Sequence, residues 1–414
     1  MVRVCDAIMG TGKSQSAITW MNSHKEDKFI YITPYLEEAT RIKKGCPSLK
    51  FCEPSDKLPK YNYRKSEHTA ALIREGKNIT TTHQAFKGYT PEMHDGILKQ
   101  GYTLIIDENV DVLETFDFHP DDLQLAVEAG YIKEDNGIYT VTEKEYKGRG
   151  LSDMFRLLRA RELVRIDGDD SKSLFYWALP PDLLAAFKDV FILTYLFKGQ
   201  SLYYFLKIHD IPFEYIGIER INTGTGFKFS DYPGYIPSYV SNLKSKLKIL
   251  DVPKLNTVGD DYYALSMNWF DKNEEEIEQL KRNINNCFRN IWEDSPVEER
   301  LWATYKREYG RMKGKGYTKS FLTFNTKASN NYTNKTHLVY IVNIFMNVND
   351  KKFYQKHGIE VDEDLFALST MVQWIWRSAI RKGSEVYLYI PSSRMRNLLI
   401  DWIDTVSKGG NMVA

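Results

Sequence analysis

The sequence predicts an α/β protein with a parallel sheet in each half of the chain. Three observations carry this. Short apolar strands alternate with helical stretches from residue 2 to residue 107. A glycine-rich turn separates the first strand from the first helix. Strand–helix alternation returns in the second half, from residue 321 onward. Alternation on this scale places helices on both faces of a parallel sheet.

The elements follow in order. Residues 2–8 read as a strand, 9–14 as the turn, and a helix runs on through Trp20. Residues 29–32 form a strand closed by Thr33-Pro34. Leu36, Ala39 and Ile42 then recur at helical spacing. A short helix at 70–74 leads to a β-branched strand at 78–82. The strand at 102–106 ends on Asp107-Glu108. Residues 119–180 read as a structural insertion. It has a helix at 121–129, a hairpin about Asp135-Asn136-Gly137 and a basic helix at 151–164. The strand at 190–195 precedes a domain boundary near Gly199, dividing the chain into 1–199 and 200–414.

In the second domain 215–219 reads as a strand and 225–315 as a partly helical insertion. Ile277, Leu280, Ile284, Cys287 and Ile291 form one apolar helical stripe, expected in a core. Strands are expected at 321–324, 337–344 and 385–390. Helices are expected at 362–382 and 395–406.

Composition narrows the function classes. A chain of 414 residues allows about two to three domains. With 43% apolar and 27% charged residues it can bury real cores. Lys+Arg number 56 against 55 Asp+Glu, so contact with nucleic acid must come from local patches. The longest apolar runs fall far short of a membrane span. The first five residues lack the apolar stretch of a signal peptide. Cys5, Cys46, Cys52 and Cys287 show neither metal spacing nor a disulfide framework, and the eight histidines show no metal spacing. A cytoplasmic protein with no membrane partner is expected.

The strongest chemical signal is Ala7-Ile8-Met9-Gly10-Thr11-Gly12-Lys13-Ser14, a Walker A loop with Ala in place of its first Gly. Its glycines let backbone N–H groups curl round phosphates at a helix N-terminus. Lys13 is expected to neutralise the β/γ-phosphate oxygens of ATP, and the Ser14 hydroxyl to hold Mg²⁺. The second signal is Leu104-Ile105-Ile106-Asp107-Glu108-Asn109, an apolar strand ending in two acids. Asp107 is expected to hold Mg²⁺ and Glu108 to activate water. The third is Gln373-Trp374-Ile375-Trp376-Arg377-Ser378-Ala379-Ile380-Arg381. On a continuous helix Gln373, Arg377 and Arg381 share one face. Arginines offered from a second domain would stabilise charge on the γ-phosphate.

Motifs in this order resemble the superfamily 2 helicase/translocase core, the DEAD/DEAH-like group, and most nearly compact helicase-like proteins encoded by bacteriophages. The resemblance implies two RecA-like P-loop NTPase domains with ATP in the cleft between them. It implies hydrolysis coupled to movement on nucleic acid, single-stranded DNA ahead of RNA, in replication, recombination or repair, in the host cytoplasm. Ile32-Thr33-Pro34 resembles the motif that touches the nucleic-acid backbone, and Thr80-Thr81-Thr82-His83 the next one. Leu193-Thr194-Tyr195 stands where the coupling motif Ser-Ala-Thr would be, and keeps only a hydroxyl, at Thr194. The Gln373 segment resembles the arginine-bearing motif, with Trp376 where Gly is usual and Arg381 one residue late. Asn325-Thr326 and Ser329-Asn330-Asn331 are candidates for the remaining motif. By this resemblance Thr33, Pro34, Thr82 and Thr326 would contact nucleic acid. Lys244, Lys246, Lys248 and the loop at 311–319 would add a basic rim.

Two other classes fit parts of the pattern. A nucleotide-dependent switch or loader needs the ATP site without unwinding. A viral DNA-packaging motor needs a metal-dependent nuclease in the second half, where this chain has its Gln/Arg segment instead.

Overall fold

The computed structural model describes every residue except 35, 118, 149, 159–162, 166–172, 178, 222–225, 232–239, 294, 327–330 and 409–414. Four parallel strands come first: β1 (Val2–Asp6), β2 (Lys28–Thr33), β3 (Ile79–Thr82) and β4 (Tyr102–Asp107). The chain then departs into β5 (Leu113–Asp117), β6 (Ile132–Asp135), β7 (Ile138–Val141), β8 (Leu163–Arg165) and β9 (Ser173–Trp177). These make a separate antiparallel sheet, ordered β5-β9-β8-β7-β6. The chain returns as β10 (Asp189–Thr194), β11 (Phe213–Arg220) and β12 (Phe227–Ser230).

These complete a seven-stranded sheet, ordered β12-β11-β1-β10-β4-β2-β3, in which only β12 is antiparallel. Side chains alternate between its faces with period two. Ile30, Ile32, Leu104, Ile106, Val190 and Ile192 enter one core, while Phe29, Tyr31, Ile105, Phe191 and Leu193 enter the other. With β10 between β1 and β4, the pairings Asp6↔Thr194 and Leu193↔Asp107 bring three strand ends together. In open α/β sheets ligands bind beyond such carboxyl ends.

The second domain is built on β13 (Leu247–Ile249), β14 (Arg300–Ala303), β15 (His337–Tyr340) and β16 (Val386–Tyr389). They form an all-parallel sheet ordered β13-β16-β15-β14. The Glu363–Ile375 and Ser393–Ser407 helices pack on it. The fold class is therefore the expected one, α/β with a parallel sheet in each domain.

The structure corrects six expectations. The boundary near Gly199 is misplaced: the Ser201–Ile208 helix is a crossover, and β11 pairs with β1 in the first sheet. The 225–315 segment is not an insertion, since it supplies β13 and β14. The insertion after β4 is longer than 119–180, because β5 lies before it. Its basic helix is only Ser152–Leu158; the apolar pair Leu163-Val164 continues instead as β8, between β7 and β9. Residues 321–324 form no strand, only an isolated bridge from Phe321 to Trp302. The helix expected to reach residue 382 stops at Ile375. The hairpin turn is as expected, with positive φ at both Asn136 and Gly137.

The two domains share one apolar core. Ile8, Tyr195 and Leu196 of the first lie in the same buried cluster as Trp302, Trp374, Trp376 and Trp402 of the second. Trp402 Nε1 donates to the Tyr195 hydroxyl at 2.9 Å. Gly199 meets the Glu363–Ile375 helix so closely that a Cβ there would lie 2.7 Å from the backbone carbonyl of Leu365. Among the described residues no helix is long and apolar enough to cross a membrane.

Candidate nucleotide site

The glycine loop leaves β1 and returns into the Lys13–Ser23 helix. Gly10 and Gly12 hold φ of 83° and 97°, a conformation that costs a side-chain-bearing residue about 1–2 kcal/mol. Gly12 is constrained twice over, because a Cβ there would lie 2.4 Å from Phe227 Cγ on β12. The Thr11 hydroxyl donates to Ile8 O at 2.8 Å and closes the loop. Lys13 Nζ turns back onto the carbonyls of Ala7 and Ile8. Burial lowers the Lys13 pKa, against the opposing charges of Cys5, Asp107, Asp6 and Glu108.

At the end of β4, Asp107 is buried, and burial raises its pKa. Its Oδ2 accepts from Tyr31 OH at 2.6 Å and from Ser14 Oγ at 2.9 Å, and both bonds favour the charged form. His83 Nε2 lies 2.9 Å from the Asp107 backbone oxygen. Glu108 sits at φ 65°, a strained conformation for a glutamate, while its N–H donates to Leu193 O at 3.0 Å. Ala7 N–H donates to Thr194 O at 3.0 Å, which ties the root of the glycine loop to β10.

The expected helical face of Gln373, Arg377 and Arg381 does not exist as such. The helix ends at Ile375, because Ser378 turns its hydroxyl onto Ile375 O at 2.6 Å and caps a short 3-10 turn, Ala379–Lys382. Gln373 is therefore on the helix, Arg377 in the connecting turn and Arg381 in the 3-10 turn. Even so, all three line a single cleft of about 340 Å³ with Met9, Gly10, Gly12, Lys13, Ser14, Asp107, Glu108 and Thr194. Arg377 is 6% exposed.

The Ser14 hydroxyl and the Asp107 carboxylate meet at 2.9 Å in the cleft lined by Lys13 and the loop, which fits a Mg²⁺–phosphate complex. Magnesium takes one or two protein ligands and completes its shell with phosphate oxygens and water. Among the described residues no group of three or more His, Cys, Asp and Glu could form a metal cage.

Of the residues expected to touch nucleic acid, Thr33 and Thr82 lie side by side at the ends of β2 and β3. Thr33 is fully buried and, with Pro34, lines the cleft that holds Lys13 and Asp107. The Thr82 hydroxyl is occupied as a helix cap, accepting from Ala85 N–H at 3.3 Å. Asn325 and Thr326 line a second cleft of about 1180 Å³ that shares Glu108, Gln373 and Arg377 with the first. Ser329 and Asn330 lie outside the described residues. Of the basic rim, Lys244 pairs with Asp404, and Arg311 with Glu274 and Glu308.

Sequence reasoning missed Tyr31, Phe227 and Gln200. Tyr31 was legible only as a core residue of β2. Phe227 opens β12 and gives no local motif.

With the geometry established, the chain can be compared with known proteins. The SPbeta prophage-derived uncharacterized protein YonV of Bacillus subtilis (strain 168) is 38% identical over 418 residues, 97% of this chain and 98% of that one. The chain belongs to the YonV family. The YonV C-terminal Rossmann-like domain matches residues 241–403, which is the second domain seen here, beginning after β12. A prophage relative bears out the likeness to phage-encoded proteins. Among solved structures the YonV-like chain resembles an apo XPD and the Xpd4 of S. tokodaii. Both are 12% identical, with TM-scores of 0.42 and 0.39, covering 97% of this chain and 95% and 94% of theirs. A DEAD box protein from Methanococcus jannaschii superposes with a TM-score of 0.24. At these scores no residue role is carried over from them.

Proposed function

We propose that this protein is an ATP-hydrolysing helicase or translocase of the superfamily 2 type, acting on single-stranded DNA. The single observation that carries the reading is the cleft in which Lys13, Ser14, Asp107 and Glu108 of one domain face Gln373, Arg377 and Arg381 of the other.

The chemistry follows from these groups. Lys13 exchanges the Ala7 and Ile8 carbonyls for phosphate oxygens. The loop N–H groups and the helix N-terminus receive the remaining phosphate charge. Ser14 and Asp107 would hold Mg²⁺, which would supply positive charge toward the β/γ oxygens. Glu108 takes a proton as water attacks the γ-phosphorus and the bond to the ADP oxygen breaks. Arg377, with Arg381 beside it, stabilises the charge that builds during transfer.

A second reading is favoured by a specific observation. The apolar core that runs from Ile8, Tyr195 and Leu196 into the second domain opposes wide opening of the cleft. That suits a nucleic-acid-stimulated ATPase switch or loader that does not unwind.

Steady-state ATP hydrolysis with and without single-stranded DNA and RNA tests the reading, with wild type beside Lys13→Ala. Turnover stimulated by a single strand and abolished in the variant is expected. Turnover that survives Lys13→Ala would overturn the site. Strand displacement separates helicase from switch.

A further inference from the structure

We propose that Gln200, a residue outside every recognised motif, positions the Gln373–Arg377 segment for hydrolysis through a directional chain of buried hydrogen bonds that begins at Thr194. The inference rests on the ATPase reading above and concerns its internal regulation.

Thr194 Oγ1 donates to Gln200 Oε1 at 2.7 Å. Gln200 Nε2 donates to Tyr195 O at 2.8 Å and reaches Ser369 Oγ at 3.4 Å. Gln373 Nε2 donates to the same Ser369 Oγ at 3.2 Å, and Ser369 Oγ donates to Tyr195 O at 3.5 Å. Thr194, Gln200 and Ser369 are 4%, 4% and 3% exposed. Water therefore does not compete at these three residues, and a hydrogen-bonded network of this kind holds its members in place up to the half-buried Gln373.

The chain has one consistent direction. The Tyr195 carbonyl can only accept, so the Gln200 amide nitrogen must face it and the Gln200 oxygen must face Thr194. Ser369 then spends its hydrogen on Tyr195 O and accepts from both glutamines with its two lone pairs. Gln373, held by its nitrogen, lines the same cleft as Lys13 and Glu108. Arg377 lies four residues further on. One end of the relay is thus the strand that neighbours Asp107, through Leu193↔Asp107. The other end is the segment that carries the arginines.

The arrangement also accounts for the altered coupling motif. Tyr195 and Leu196, at the positions of Ala and Thr in that motif, are buried in the shared apolar core. The polar connection across the seam runs through Gln200, on its first-domain side.

Gln200→Met keeps volume and burial while removing all three bonds. The kcat for ATP should fall about tenfold to a hundredfold with KM within about twofold, the signature of an interaction that matters in the transition state. Ser369→Ala should fall in the same direction, and the double variant should be no slower than Gln200→Met, because both cut one chain. Gln200→Glu keeps the acceptor for Thr194 but sets an oxygen against Tyr195 O, so it should not restore kcat. A packing role alone would lower the melting temperature and raise KM together. If Gln200→Met fails to fold, Ser369→Ala decides: a reduced kcat upholds the relay and an unchanged one overturns it. Wild type that turns over ATP while folded Gln200→Met keeps its kcat overturns the relay alone. Wild type with no turnover removes the ATPase reading and the relay with it.

Discussion

Tyr31 on β2 donates its hydroxyl hydrogen to Asp107 Oδ2 on the adjacent strand β4, at 2.6 Å and in full burial. Burial raises the Asp107 pKa and this bond opposes the rise. Tyr31→Phe should therefore raise it further. Since the proposed metal site needs the carboxylate, the acid limb of the ATPase pH profile should move to higher pH. The variant should also lose about 1.5–3 kcal/mol of stability, as expected for a hydrogen bond to a charged group. A pH–rate profile and a denaturant melt check both.

Glu108→Gln leaves backbone demands at φ 65° unchanged, so its effect is chemical rather than conformational. Hydrolysis should slow about 10²–10⁴-fold while nucleotide binding persists. Near-normal turnover would remove Glu108 as the base. Single-turnover hydrolysis beside binding of a fluorescent ATP analogue distinguishes the two.

Gly12→Ala meets a positive φ and the Phe227 ring at once. The conformational part alone costs about 1–2 kcal/mol. Nucleotide affinity should drop about tenfold or more, since each 1.4 kcal/mol is about a factor of ten. Titration with the same analogue measures it. Phe227→Ala in the Gly12→Ala background should recover part of the loss by clearing the ring.

Gly199→Ala drives a methyl group into the Leu365 backbone, which cannot step aside as a side chain could. Overpacking of this kind costs about 1–3 kcal/mol. The melting temperature should fall, and kcat should fall with it if the wedge moves the Glu363–Ile375 helix away from the first sheet. Differential scanning calorimetry and ATPase assays follow the two effects.

Asp6 accepts the N–H groups of Leu196 and Phe197, each at 2.8 Å, yet burial pushes its pKa up from 3.8 to about 6. The folded protein thus holds this proton more tightly than the unfolded chain. The stability it contributes is fully present below about pH 4 and is lost as pH rises to about 6, amounting to about 3 kcal/mol. Asp6→Asn should flatten that part of the stability–pH curve. Unfolding free energies of wild type and variant between pH 4 and pH 7 test it.

How much was legible depended on whether the signal was local. The glycine loop, β1 and β4 carry their patterns within a few residues, so they could be read directly. Gln373, Arg377 and Arg381 were found for a reason that failed: their spacing assumed a helix, yet Ser378 breaks it and the fold still brings all three to one cleft. Thr33 and Thr82 show the opposite failure. A threonine at a strand end says nothing about whether its hydroxyl is buried or already spent on a cap. Tyr31 and Gln200 act only across strands and across domains, through partners distant in sequence. The boundary was misread because β11, although it follows Gly199, returns to lie beside β1.

The antiparallel sheet between β4 and β10 begins and finishes on paired residues, Leu113 opposite Trp177. A segment whose two ends are neighbours leaves the scaffold it interrupts without a gap to span. It has its own small core around Leu123, Tyr139, Phe155 and Leu163. Its described tie to the rest of the chain includes Val164 against Phe353 and Tyr354. Swapping it for a tight reverse turn should spare β4 and β10, whose pairing does not pass through the module.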